Sequence, residues 1–124
     1  MKTPTTLRFA LIASALAFAV ACGSSSSTPT TPTPQGATAV SIVTNARTLT
    51  TTAYAPNPVT ISAGTMVTWT NNDTIAHNTT SDTGVFSSGS MAAGAQYSYT
   101  FANKGTFPYH CTIHPGMVGT VVVQ

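Results

Sequence analysis

The sequence predicts an all-β domain in residues 36–124, built as a two-sheet antiparallel sandwich of about eight strands. Short runs rich in Val, Thr, Tyr and Ile alternate with Gly, Pro and Asn, which is typical of strands separated by turns. No stretch in this range has a sustained helical period with capping residues. These two patterns, continued over the length of one small domain, favour a sandwich over a helical or mixed fold.

The predicted strands follow one another closely along the domain. We predict strands at 38–44, 48–54, 58–62, 65–71, 76–81, 96–102, 106–111 and 118–123. Turn signals such as Asn57-Pro58 and Ala63-Gly64 lie between them. In the fourth strand, Val67, Trp69 and Asn71 share one face by period-two alternation. We therefore expect Trp69 to pack in the core.

The N-terminus has the pattern of an export signal. A positive leader, Met1 to Arg8, precedes an uncharged apolar run that is too short for a comfortable membrane span. We predict a lipoprotein-type signal peptide at 1–21, because the run ends in small residues before Cys22, as in the bacterial lipobox. Ala19 stands where the lipobox usually has Leu, and an ordinary cleaved secretory signal is the alternative. Either signal places the protein in the cell envelope or periplasm.

Residues 22–35 form a disordered linker in this interpretation. The segment is rich in Ser, Thr and Pro and has no large apolar side chain with which to build a core. At about 3 Å per residue for a proline-rich chain, it could reach roughly 40 Å. We predict a tether that holds the domain away from a membrane, anchored by acyl chains on Cys22. A plain disordered tail is the alternative.

Charge and cysteine content narrow the functional classes. The chain has four basic and two acidic residues, and two of the basic ones, Lys2 and Arg8, lie in the leader. The domain is therefore neutral and lacks the basic patch that nucleic-acid binding requires. Cys22 and Cys111 are the two cysteines of the chain. We predict no disulfide between them, because Cys22 lies at the processing junction and Cys111 lies in a metal-like motif.

That motif is C-x-x-H-x-x-M, formed by Cys111, His114 and Met117 on a loop that follows a predicted strand. Period-two alternation places Cys111 on the same strand face as Tyr109, so its sulfur should point into the domain. A second imidazole comes from far upstream, at His77. The motif and His77 together supply one thiolate, two imidazoles and one thioether.

This donor set favours copper. Two imidazoles and a thiolate in a trigonal plane, with a weak axial thioether, are the ligands of blue-copper electron-transfer sites. Structural zinc prefers four Cys or His ligands in a closed tetrahedron. Because the set is a compromise between Cu(I) and Cu(II), little has to move when an electron is gained or lost. We predict one copper ion as the cofactor.

Residues 57–124 resemble the plastocyanin/azurin family of cupredoxins, and the short loop is most similar to that of amicyanin-like blue-copper proteins. The resemblance lies in Ser62–Asn71, in the His77-Asn78 pair, in Tyr97–Phe101 followed by Gly105, and in Tyr109–Met117. It implies a cupredoxin-like Greek-key sandwich with copper at one end of the molecule.

The resemblance also implies roles for single residues. His77, Cys111 and His114 would be the in-plane ligands and Met117 the long axial ligand. Asn78 would join the two ligand segments by hydrogen bonds near Thr112.

By the same resemblance, electrons would pass through the exposed edge of His114, next to Pro115. The surroundings, Ile113, Pro115, Gly116 and Met91, are apolar and uncharged. We therefore predict a monomer that carries single electrons between exported redox partners and docks through a small apolar patch.

Two other functions are open to this sequence. A copper-binding or copper-delivery protein would favour exposed Met- and His-rich tracts, whereas this chain has four methionines and no tract of them. An enzyme would need an activating base or carboxylate pair, and Asp73 and Asp82 have no obvious partners in the sequence. His110 points to the opposite strand face from Cys111, so it is expected at the surface. A second, catalytic copper bound by His110 would need further histidines. We predict that the protein is not an enzyme.

Overall fold

The structure is a computed structural model that describes residues 36–124. The predicted signal peptide (1–21), the tether (22–35) and the lipidated Cys22 lie outside the described residues. In the described part of the chain, no helix is both long enough and apolar enough to cross a membrane.

Eight strands form two four-stranded sheets, which confirms the predicted all-β sandwich. The strands are β1 (Ala37–Ile42), β2 (Tyr54–Ala55), β3 (Val59–Ile61), β4 (Thr65–Asn71), β5 (Thr80–Ser81), β6 (Gln96–Phe101), β7 (Gly105–His110) and β8 (Val118–Val123). One sheet has the order β2-β1-β4-β6 and the other the order β3-β8-β7-β5. The chain thus changes sheets repeatedly, as a Greek-key sandwich requires.

Both sheets are mixed, so the antiparallel pairing expected for the predicted sandwich holds for only part of each sheet. β1 pairs with β4 in parallel, and β3 pairs with β8 in parallel. Parallel neighbours cannot be joined by a tight hairpin and need a crossover connection. Here β2 and β3 lie between β1 and β4 in the sequence, and β3 belongs to the other sheet.

The predicted strand at 48–54 was also wrong. This region contains a 3₁₀ helix (Ala46–Thr48) and turns, and its strand is limited to the two residues of β2. Asn45 begins the helix with a left-handed backbone (φ 60°), and the backbone N–H of Ala46 donates to the Asp73 carboxylate at 3.1 Å. β-Propensity depends strongly on context, and here a long-range hydrogen bond fixes a helical turn instead.

The predicted strand at 76–81 is mostly irregular and becomes regular only at β5. Before β5, the backbone of His77 forms an isolated bridge with Met91, through N–H···O bonds of 3.1 and 2.8 Å. This bridge holds the segment at the edge of the sandwich without giving it a full ladder.

The core lies between the sheets around Trp69, which is completely buried. Alternate residues of β4 point inward as predicted for Val67, Trp69 and Asn71. The indole ring packs against Phe86 at 5.3 Å and against Tyr109 at 5.6 Å between ring centroids. Each such aromatic pair contributes about 0.5–1.5 kcal/mol beyond its buried area. Tyr109 lies two residues before Cys111, so the aromatic rings packed around Trp69 lie directly beneath the predicted metal loop.

Candidate metal centre

Cys111 follows β7 directly, and its side chain is completely buried. Its backbone N–H donates to the carbonyl of Met117 at 3.0 Å, and the backbone N–H of Met117 donates to the carbonyl of His114 at 3.0 Å. These two bonds close the C-x-x-H-x-x-M loop into a compact turn. Met117 is completely buried, whereas His114 is half-buried. The loop therefore has one ligand candidate in the interior and another that is accessible to solvent.

The third candidate, His77, is completely buried and reaches the same point from the other segment. Its Nδ1 lies 3.1 Å from the Nδ1 of His114. The Sγ of Cys111 lies 4.0 Å from the Nδ1 of His77 and 3.9 Å from the Nδ1 of His114. The two donor atoms of the loop and one from a segment more than 30 residues upstream therefore face one another across a small space.

This spacing fits one metal ion. Protein metal bonds measure about 2.0–2.1 Å to imidazole nitrogen and about 2.3 Å to thiolate sulfur, taking zinc as the guide. Two nitrogens on one ion are therefore at most about 4.2 Å apart, and a nitrogen and a sulfur at most about 4.4 Å. The separations of 3.1, 3.9 and 4.0 Å all lie within these limits. With the buried thioether of Met117, the donors are those preferred by copper rather than by structural zinc.

The protonation state of His114 also suits metal binding. Burial is the largest factor that lowers the pKa of His114, and the neighbouring His77 and Arg47 lower it further. The neutral imidazole is the form that binds metal ions. The positive charge of Arg47 thus favours the neutral form of His114.

Asn78 connects the two ligand segments. Its side-chain Nδ2 donates to Thr112 Oγ1 at 2.6 Å, and its Oδ1 accepts from the backbone N–H of Thr112 at 2.8 Å. Its backbone N–H also points at the Sγ of Cys111 at 3.4 Å. The hydroxyl of Tyr54 donates to the carbonyl of Asn78 at 2.6 Å. Burial is the main cause that raises the pKa of Tyr54, so this hydroxyl stays protonated and keeps donating.

Both acidic residues of the domain have histidine partners, which were not obvious from the sequence. Asp73 Oδ2 lies 2.9 Å from His77 Nε2, and Asp82 Oδ1 lies 2.6 Å from His110 Nδ1. The side chain of His110 is 36% exposed and lies outside the group of metal-ligating atoms found among the described residues. The sequence carried no signal for Asp82. For Asp73 the four-residue spacing to His77 was visible, but such spacing has meaning only once the backbone is known.

The exposed surface around His114 is mainly apolar. Ile113 is 44% exposed and Val118 is 39% exposed, and Pro115 and Gly116 are exposed between them. Met91 was expected in this patch, but it is buried against His77, with which it forms the backbone bridge. The patch therefore consists of the loop itself and the first residue of β8.

A two-sheet sandwich with this donor group at one end defines a copper-binding protein of the cupredoxin class. The family model described as "Copper binding proteins, plastocyanin/azurin family" matches residues 40–124. The chain belongs to this family.

Individual relatives agree with this membership. The chain is 39% identical over 69 residues to an amicyanin of Paracoccus denitrificans, covering 52% of this chain and 53% of the relative. It is 38% identical over 84 residues to a plastocyanin of Scenedesmus fuscus, covering 57% of this chain and 86% of the relative. The matched region thus spans about half of the length of the amicyanin.

Solved structures show the same fold. A purple cupredoxin from Nitrosopumilus maritimus superposes with a TM-score of 0.65 at 32% identity, covering 70% of this chain and 99% of that one. An amicyanin mutant in the Cu(I) state superposes with a TM-score of 0.61 at 32% identity, covering 71% of this chain and 82% of that one. Copper is therefore the cofactor, and His77, Cys111, His114 and Met117 form a single copper site.

Proposed function

We propose that this chain is a type 1 (blue) copper protein that carries single electrons between redox proteins and has no enzymatic activity. The observation that carries the proposal is the convergence of one thiol and two imidazoles, whose donor atoms all lie within 4.8 Å of one another. The similarity to amicyanin and plastocyanin supports the same class. Copper bound here supplies a one-electron Cu(I)/Cu(II) couple.

Each ligand residue has a distinct part in this proposal. His77 and His114 would supply imidazole nitrogens to the ion, Cys111 would supply a thiolate, and Met117 would supply a weakly bound thioether. The hydrogen bonds of Asn78 fix the ligand segments to each other, so the donor atoms keep their positions when the charge changes. A site that does not rearrange has a low reorganisation cost, and this makes electron transfer fast.

The electron path leaves the protein through His114. His77 and Cys111 are completely buried, whereas His114 is half-buried and is followed by the exposed Pro115. A donor or acceptor protein would dock on the apolar patch around this ring, with Ile113 and Val118 as its largest exposed side chains. The exposed apolar patch around His114 is small, which suits a brief encounter with a partner protein and a monomeric carrier.

Export and anchoring complete the proposal. A signal peptide at 1–21, a tether at 22–35 and a lipid on Cys22 would place the copper domain in the cell envelope. Mass spectrometry of the mature N-terminus tests this directly, since an acylated Cys22 supports the anchor and an unmodified mature N-terminus contradicts it.

The rival function is copper delivery. A delivery protein must release its ion readily, but Met91 and Met117 are both buried and His77 is inaccessible. We therefore expect the protein to keep its copper while it changes oxidation state.

The discriminating experiment cycles the copper-loaded protein between ferricyanide and ascorbate in the presence of a coloured Cu(I) chelator. An electron carrier retains its copper through repeated cycles, and the chelator stays colourless. The variant His110→Ala is a matched control, because His110 adjoins a ligand but lies outside the site, and it should behave like the unaltered protein. Transfer of copper to the chelator during the first reduction would favour delivery over electron transport.

A further inference from the structure

Asp73 is a nearly buried carboxylate, 5% exposed, that lies behind the ring of His77. Its Oδ2 contacts His77 Nε2 at 2.9 Å and accepts the backbone N–H of Ala46 at 3.1 Å. Its Oδ1 accepts the backbone N–H of Thr74 at 2.7 Å. A buried charge needs such partners, and these backbone donors leave the carboxylate little freedom to move.

The contact between Asp73 and His77 selects one tautomer of the imidazole. Both oxygens of Asp73 accept backbone N–H groups, from Ala46 and from Thr74, and this is the arrangement expected of an ionised carboxylate. An ionised carboxylate can only accept hydrogen bonds, so Nε2 of His77 must carry the hydrogen. Nδ1 then carries the lone pair. Nδ1 is also the atom that faces Cys111 and His114.

We propose that Asp73 is a positioning residue of the copper site, which holds His77 with Nδ1 aimed at the metal and lowers the reduction potential through its buried negative charge. The inference rests on the proposed function, since it concerns copper bound at this site. A carboxylate that accepts the second N–H of a metal-bound histidine orients the ring and makes it a stronger donor. A fixed negative charge nearby also favours the more positive Cu(II) over Cu(I).

The chain contains a matched control for this role. Asp82 forms the second Asp–His pair of the domain, with His110, at 2.6 Å. The side chains of His110 and Asp82 are 36% and 46% exposed, and His110 is not a ligand candidate. An exposed pair of this kind interacts weakly because water screens the charges. Removing the charge of Asp82 should therefore leave the copper site as it is.

The test compares Asp73→Asn, Asp73→Ala and Asp82→Asn by copper affinity and by the midpoint potential in voltammetry. Asp73→Asn keeps an acceptor for Nε2–H and removes the charge, so the blue band should remain and the potential should rise. Asp73→Ala removes the acceptor, and the copper affinity should fall by about 10–100-fold. Asp82→Asn should change neither property. If Asp73→Asn has the potential and affinity of the unaltered protein, the proposed role of Asp73 is wrong.

A measurement without copper keeps the inference testable even if Asp73→Ala does not fold. Long-range ¹⁵N NMR of the unaltered apoprotein should find His77 in the Nε2–H tautomer, and an Nδ1–H tautomer would overturn the proposal. A different result would contradict the proposed electron-transfer function. It would be an unaltered protein that binds copper without a blue band, or one whose copper does not cycle between oxidation states. The two failures are therefore distinguishable.

Discussion

Asn78 illustrates how single residues hold the copper site together. It follows the ligand His77 in the chain, and its side chain both donates to and accepts from Thr112, which follows the ligand Cys111. The two residues are 34 positions apart. Its backbone N–H also faces the cysteine sulfur at 3.4 Å, which adds a third contact between the two ligand segments.

We expect Asn78→Ala to destabilise the apoprotein by about 1–3 kcal/mol, because it removes two hydrogen bonds of a buried side chain. Denaturant unfolding of the metal-free domain measures this change. Asn72→Ala is the control: Asn72 also donates through its side chain, to Ser41 at 2.6 Å, but it is exposed. Its loss should cost no more than about 0.5 kcal/mol. Equal losses for the two variants would contradict the bridging role of Asn78.

At this scale the sequence predicted the ligand residues and, through the family resemblance, the link from Asn78 to Thr112, but not the contact of Asp73 with His77. Cys111, His114 and Met117 are recognisable because their donor atoms and short spacing are properties of the chain itself. Asp73 was missed because its contact with His77 depends on how an irregular segment bends. It also depends on the 3₁₀ helix at Ala46–Thr48, which no periodic pattern revealed.

At the scale of elements, the pairing of β7 with β8 supports the ligand loop from below. Tyr109 of β7 lies opposite Gly119 of β8, and its ring is completely buried under Cys111. A Cβ atom at Gly119 would overlap Cζ of this ring. Glycine is therefore required at this position for a close approach, which is a common reason for glycine within a strand. Burial raises the pKa of Tyr109 to about 12, so the ring is neutral and packs as part of the core.

We expect Gly119→Ala to cost about 1–3 kcal/mol of unfolding free energy, the usual range for overpacking a tight core. Thermal or denaturant unfolding of the apoprotein measures it. Gly116→Ala is the matched control in the ligand loop, where an added Cβ would meet no atom within 4 Å, and it should change stability by less than about 0.5 kcal/mol. A Gly119→Ala protein as stable as Gly116→Ala would show that the Tyr109 ring can move aside.

Elements with clear alternation were predicted well, and those fixed by distant contacts were not. β4 and β8 have the predicted bounds, and β6 and β7 differ from their predictions by one residue at an end or at both ends. The segments 48–54 and 76–81 contain strand-favouring residues, but the backbone of the first bonds mainly within local turns, as from Leu49 N–H to the carbonyl of Ala46 at 2.9 Å. In the second, the backbone of His77 bonds to that of Met91. The parallel pairs of β1 with β4 and of β3 with β8 depend on chain crossovers, which local patterns do not encode.

At the scale of the whole molecule, the main feature is the small number of charges. Residues 36–124 contain two cations, Arg47 and Lys104, and two anions, Asp73 and Asp82. Asp73 is buried beside His77, and Asp82 pairs with His110. Counting the ion and the thiolate, the domain with Cu(I) carries no net charge, and the domain with Cu(II) carries a single positive charge. Long-range attraction between copies is therefore weak.

We expect electron self-exchange between the Cu(I) and Cu(II) forms to depend little on salt. Raising the ionic strength from about 0.01 M to about 1 M shortens the Debye length from about 30 Å to about 3 Å, yet the rate constant should change by less than about threefold. NMR line broadening in mixtures of the two forms measures this rate without a partner protein. A rate that falls steeply with added salt would show that charge, rather than the apolar patch around His114, controls docking.

The most direct test of the central claim is the absorption spectrum after Cu(II) is added to the purified domain. Four donors, two from imidazoles, one from a thiolate and one from a thioether, should give an intense visible band from thiolate-to-copper charge transfer, and the band should bleach on reduction and return on oxidation. Cys111→Ser should bind copper without this band. A colourless copper complex of the unaltered protein, or a band that survives in Cys111→Ser, would contradict a blue-copper site at Cys111.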